Sequence, residues 1–204
     1  TRIQKIRHMQ VLKFGGTSVA DSDKIQLVVD TVARAADRDR TILVISAIKG
    51  CTDALIRIGN LAAHRDESYQ EVIDGLQEQH HRIIRELLPL EKQEESREVC
   101  DGLFDSLRSI VQGVYLLGEL SPASLDAIQG FGELWSSKII ATKLASIGIA
   151  TKWIDSRNII RTINKGEKNT VDVQKTYSRV NEMIESNPIT QVFVVPGFIA
   201  SDKQ

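Results

Sequence analysis

The spacing of apolar residues along this chain passes from short runs to a long helical period and back to short runs. Val11, Leu12 and Phe14 make a strand over 9–14. Ile25, Val28, Val29 and Val32 then share one stripe of a helix over 22–38, repeating near 3.6 residues. A second strand over 41–46 holds Ile42, Leu43, Val44 and Ile45 without a polar break. Such a run suits a parallel strand buried on both faces. Strand, helix and strand together satisfy a right-handed βαβ crossover.

From 53 to 147 the period is helical throughout. Val72, Leu76, Ile83, Ile84 and Leu87 form one stripe; Leu103, Leu107, Ile110, Val111, Val114 and Leu117 form another. Pro89, Gly102, Gly118 and Pro122 predict breaks. The charged run at 91–98 fits a solvated helix start or a loop. A helical insertion of this length suggests a mobile lid or an oligomer contact. Strand patterning resumes at 150–154, with a short edge strand or turn at 157–162, a helix at 171–184 and a strand at 191–195. The fold class expected is α/β: a mostly parallel sheet flanked by helices, carrying a long helical insertion.

Composition narrows the partners. The 204 residues suffice for a sizeable core, and a net charge of −1 offers no basic field for nucleic acid or an anionic membrane. The apolar runs are a strand long, such as 192–196, so neither a transmembrane helix nor a signal peptide is expected. Two cysteines, Cys51 and Cys100, give neither a disulfide scaffold nor a metal-ligand spacing, which fits the cytoplasm. Met9 stands where a start codon would fit, so 1–8 reads as an upstream extension or an expression remnant, and 9–204 as the domain. The last strand runs into Pro196-Gly197 shortly before Gln204, an unusual stop, and the expectation is a truncated domain.

Four segments carry candidate chemistry. Lys13-Phe14-Gly15-Gly16-Thr17-Ser18 joins a strand to a helix, with Thr17, Ser18 and Asp21 available as N-caps. A two-glycine turn at a helix start can hold an anion on backbone N–H groups, phosphate above all; it can equally be an ordinary tight turn. It is not a Walker A loop, since no G-x-x-x-x-G-K-[ST] occurs. Ser46 to Asp53 follows the second strand, where open α/β sheets bind ligands, although Thr52 or Asp53 could simply cap a helix starting near Ala54. Gly130 to Ser137 superficially suggests a dinucleotide fingerprint, but Trp135 replaces the third glycine and no strand precedes it. Glu133 there suits the first turn of an amphipathic helix through its charge alone. Gly197-Phe198-Ile199 reads as a turn, with Phe198 available to the core. His80 and His81 are adjacent, so on a helix they diverge by about 100° and cannot share a metal.

Lys13-Phe14-Gly15-Gly16-Thr17-Ser18-Val19 resembles the signature that opens the aspartate kinases, a branch of the amino-acid-kinase family. The other three segments are similar to later motifs of that family in the same order, over 9–201. The resemblance implies an amino-acid-kinase (carbamate-kinase-like) fold. It implies transfer of the γ-phosphoryl group of ATP, with Mg2+ accompanying the nucleotide, to the side-chain carboxylate of L-aspartate. The product is 4-phospho-L-aspartate, the first step toward lysine, threonine and methionine. Lys13 would be catalytic and offset phosphate charge; Gly15, Gly16, Thr17 and Ser18 would bind the phosphates; Ser46, Thr52, Glu133 and Phe198 would shape the aspartate site. Glu133 would take the substrate's ammonium group. Asp53 stands where many members have Asn, and Pro196 replaces a usual Thr or Gln. Trp135 after Gly132-Glu133-Leu134 is similar to the bifunctional aspartate kinase–homoserine dehydrogenases. A Gly-Arg-Gly-Gly-Ser-Asp-like motif and the nucleotide-binding half are missing, so residues 1–204 are expected to be inactive alone. The full-length enzyme is expected to be a homo-oligomer, a dimer or tetramer. Two alternatives stand beside this: an amino-acid kinase with another carboxylate or carbamate substrate, and a non-catalytic anion-binding or oligomerisation module.

Overall fold

A computed structural model of the chain describes residues 8–164 and 169–201, so the expected extension over 1–8 lies almost wholly outside the described residues. Four parallel strands form the sheet: β1 (Met9–Phe14), β2 (Arg40–Ile45), β3 (Thr151–Trp153) and β6 (Val192–Pro196), in the order β1-β2-β6-β3. β4 (Thr162–Asn164) and β5 (Asn169–Val171) form a separate antiparallel pair.

Helix α1 (Ser22–Ala36) makes the crossover between β1 and β2 and buries Ile25, Val28, Val29 and Val32, as its period predicts. Asp21 alone caps it, accepting the Lys24 N–H at 2.9 Å. Helices α2 (Cys51–Ala63), α3 (Tyr69–Leu87), α4 (Leu90–Leu117), α5 (Pro122–Gln129) and α6 (Phe131–Ser146) fill the central stretch. The charged run at 91–98 is a helix start, and Gly102 lies inside α4 rather than at a break. Gly118 does end α4, in the left-handed conformation that a residue without Cβ adopts freely.

These helices are not a lid set apart from the sheet. Ile73, Leu76 and Ile84 of α3, with Phe104 and Leu107 of α4, belong to the same buried cluster as Leu43 and Ile45 of β2. The opposite sheet face is covered by α7 (Ser156–Ile159) and α8 (Val173–Glu185), around Ile159, Met183, Phe193 and Val195. Helix α7 replaces the edge strand or turn expected at 157–162. Asp155 accepts the Arg157 N–H at 3.0 Å, and that cap starts a helical turn where the sequence offers only mixed apolar and polar residues. Helix α6 is buried on nearly every side rather than amphipathic. It lies between the sheet and α4, so polar Glu133, Ser136 and Ser137 are carried into the interior with the apolar residues. No helix among the described residues is long and apolar enough to cross a membrane.

Candidate functional site

Parallel strands end on one side of a sheet, and here the chain leaves β1, β2 and β6 at adjoining points. After β1, residues Gly16–Val19 make one 3-10 turn, with the Ser18 N–H on the Gly15 carbonyl at 2.9 Å. The first N–H groups of such a turn have no earlier carbonyl to bind. Gly16 presses on the loop after β2: a Cβ there would lie 3.0 Å from the Ala47 carbonyl oxygen. Only glycine tolerates that approach without a shift. After β6, the Gly197 N–H donates to the Ile45 carbonyl at 2.7 Å, which ties the third loop to the second.

Helix α6 holds the β2–α2 loop from beneath. The Ala47 N–H donates to Glu133 Oε1 at 3.2 Å, and Ser136 Oγ–H donates to the Ser46 carbonyl at 2.9 Å. A Cβ on Gly132 would fall 2.7 Å from the Ala47 Cβ, so the helix approaches this closely because that position has no side chain. Glu133 is 4 % exposed, and no cation pairs with it among the described residues. Burial raises its carboxyl above the ordinary range; the Ala47 N–H pulls the other way. Beside it, burial and then the Glu133 charge push the Cys51 thiol up to about 12. A buried carboxylate held by a backbone N–H and lacking a cation is poised to receive a positively charged group.

Helix α2 starts earlier than expected. Gly50, at φ +82°, is its N-cap, so Thr52 and Asp53 sit in the first turn and neither is the cap. The Cys51 N–H turns back to the Ile48 carbonyl at 2.9 Å, and with no side-chain cap the next N–H groups, those of Thr52 and Asp53, have no earlier helical carbonyl to bind. Phe198 is not a core residue: it is 75 % exposed at φ +62°. The Ile199 N–H reaches back to the Gly197 carbonyl at 2.7 Å, closing a three-residue turn around it. A large side chain in the left-handed region costs about 1–3 kcal/mol, and such strain concentrates at ligand sites.

The structure therefore gathers Gly15, Gly16, Thr17, Ser18, Ser46, Thr52, Glu133 and the Phe198 turn at one end of the sheet. Lys13 is exposed near the end of edge strand β1, two residues before Gly15, on the face opposite to Leu12 and Phe14. Lys49, to which the sequence patterns give no role, lies beside this site. Its backbone N would lie 3.9 Å from a Cβ on Gly16, and its side chain is exposed. The signal was available, since Lys49 follows a buried strand at its carboxyl end. Gly132 and Ser136 give no such signal, because their partners lie in a loop far away in sequence.

A model of the amino acid kinase family matches residues 8–204. The chain belongs to that family. Its relatives include the chloroplastic bifunctional aspartokinase/homoserine dehydrogenase 2 of Arabidopsis thaliana, 28 % identical over 205 residues, covering 100 % of this chain and 22 % of that protein. The chloroplastic bifunctional aspartokinase/homoserine dehydrogenase of Daucus carota is 30 % identical over 196 residues, covering 94 % of this chain and 21 % of the relative. Escherichia coli aspartokinase III, solved with aspartate and ADP, superposes with a TM-score of 0.82 at 26 % identity, over 95 % of this chain and 41 % of that one. This amino acid kinase chain thus spans about a fifth of the length of the curated relatives. The expected α/β fold with a flanked parallel sheet is the fold observed.

Proposed function

We propose that this chain is the aspartate-binding portion, over 9–204, of an aspartate kinase that transfers the γ-phosphoryl group of MgATP to the side-chain carboxylate of L-aspartate. Glu133 carries the reading: its buried carboxylate has the Ala47 N–H and no cation among the described residues, which suits a substrate ammonium group. The acceptor carboxylate is already a nucleophile at neutral pH, so the site needs no general base. Positioning and charge neutralisation suffice for such a transfer. The open N–H groups of the Gly16 turn and of α2, with the exposed Lys13 and Lys49, would face the transferred phosphate; Thr17 and Ser18 would add hydroxyl donors. Mg2+ would arrive with the nucleotide and screen its charge. Ser46, Thr52 and Phe198 would border the aspartate. The solved relative that holds aspartate and ADP supports both ligands. The bifunctional relatives support a homoserine dehydrogenase half in the complete protein. The complete enzyme is read as a cytoplasmic homo-oligomer, with a plastid as the other compartment that chloroplastic relatives allow.

The test uses the complete reading frame that contains this chain, with MgATP, hydroxylamine and a panel of acids. L-aspartate should yield a hydroxamate; glutamate should not. N-acetyl-L-aspartate, which lacks the ammonium group, should fail as well. Turnover of a different carboxylate would make the protein another amino-acid kinase, and no hydroxamate at all would leave an anion-binding module. Residues 1–204 alone should show negligible ADP release.

A further inference from the structure

A cavity of about 300 Å³ lies between α4 and α6, and none of the residues in the loops after β1, β2 and β6 lines it. Both tryptophans of the chain, Trp135 and Trp153, line it. Val99, Leu103 and Ile139 complete apolar walls, and the volume sits at the lower end of the range for small-molecule sites. Lys138 enters from α6, with its Nζ 3.7 Å from the centre of the Trp153 ring. The ammonium is half-buried, and among the described residues it makes no hydrogen bond or ion pair.

Charge around it does not cancel. Asp155 is the nearest acid, but Arg157 closes on its carboxylate through Nε at 2.9 Å and 3.1 Å and through Nη2 at 2.6 Å. Lys92 and Glu95 at the rim pair with each other at 3.2 Å. The group carries one surplus positive charge, and Lys138 is its one cation without a hydrogen-bonded acid among the described residues. Trp135 Nε1 is also buried without a partner among the described residues. Burial lowers the Lys138 pKa, so an anion beside it would recover interaction that the protein itself does not provide.

We infer that this cavity is a second ligand site, for a small aromatic carboxylate whose ring packs against Trp153 and the apolar walls of Val99 and Leu103 and whose acid group meets Lys138. The inference stands whether or not the loops bind aspartate. Phenylacetate is the probe, and its uncharged amide is the control. The complete protein is labelled with 5-fluorotryptophan, and the resonances of the two cavity tryptophans are identified by their loss in Trp135→Phe and Trp153→Phe. Phenylacetate should shift the Trp153 fluorine signal saturably, and phenylacetamide should bind at least about tenfold more weakly, the equivalent of one charge-assisted contact. Lys138→Met should lose the preference for the acid, and Lys138→Arg should keep most of it. Should Lys138→Met fail to fold, Val99→Phe narrows the cavity from a position 44 % exposed and should weaken the acid without unfolding the protein. Equal binding of acid and amide would overturn the proposal, as would no saturable shift. A Trp153 signal that moves with protein concentration alone would overturn it too, since a second copy would then cover the cavity.

Discussion

The two sides of α6 are both buried, yet they are held in different ways. On one side, Trp135 stacks on Phe104 with ring centres 4.0 Å apart and planes 17° from parallel, and His80 lies 4.9 Å away. Burial drives His80 down to about 4, so at neutral pH it is an uncharged ring that donates through Nδ1 to the Leu76 carbonyl. On the other side, Gly132, Glu133 and Ser136 meet the backbone at Ser46 and Ala47 through single hydrogen bonds and one very close approach. Aromatic packing draws on area and absorbs a shift of a few tenths of an ångström. The loop side depends on individual atoms and absorbs much less. Stability should therefore be concentrated on the first side and substrate recognition on the second.

Trp135→Ala tests that division most severely. Removing a fully buried indole should cost about 3–5 kcal/mol, read as a fall in the denaturant midpoint. Glu133→Gln should do the reverse. In the complete enzyme, kcat/KM for aspartate should fall by about a hundredfold or more, roughly 2.7 kcal/mol of transition-state stabilisation. The fold should meanwhile melt no lower than wild type. Its raised carboxyl pKa means that the favourable contribution of Glu133 is complete below the ordinary 4.5 and is lost as pH rises through the folded value. The variant should accordingly gain on wild type as pH rises from 4 toward neutrality, and melting curves across that range would show it. A variant that loses stability at pH 7 would instead make Glu133 a structural anchor.

Smaller effects sharpen the contrast. Gly132→Ala must displace Ala47 and should cost about 1–3 kcal/mol, with a rise in the KM for aspartate that Trp135→Phe does not produce. Ser136→Ala deletes the bond to the Ser46 carbonyl and should cost about 1 kcal/mol; unchanged aspartate affinity would show that the loop holds its shape without it.

Period and run length were enough to read β1, α1 and β2, because their burial follows from neighbours close in sequence. The insertion of β6 between β2 and β3 was not legible, since no local pattern encodes which strand a distant one joins. For the same reason Glu133 could be placed in a helix first turn but not against Ala47, 86 residues away. The cap role open to Thr52 or Asp53 falls to Gly50 instead, which ends the loop in a left-handed conformation with no side chain to advertise it. Phe198 was open to a core role by composition, whereas a three-residue turn holds it out to solvent. In each case the local signal was real and a long-range contact or a backbone conformation decided the outcome.

Cys51 and Cys100 are 0 % and 3 % exposed, and burial holds each thiol at about 12. Thiolate, the form that reacts, is therefore almost absent from the folded protein at physiological pH. A disulfide reagent would react only when the surroundings open, so its rate becomes a clock for local unfolding. The chain carries two such clocks. Cys51 times release of the wall behind the glycine loops, and Cys100, which lines the cavity between α4 and α6, times the opening of that cavity.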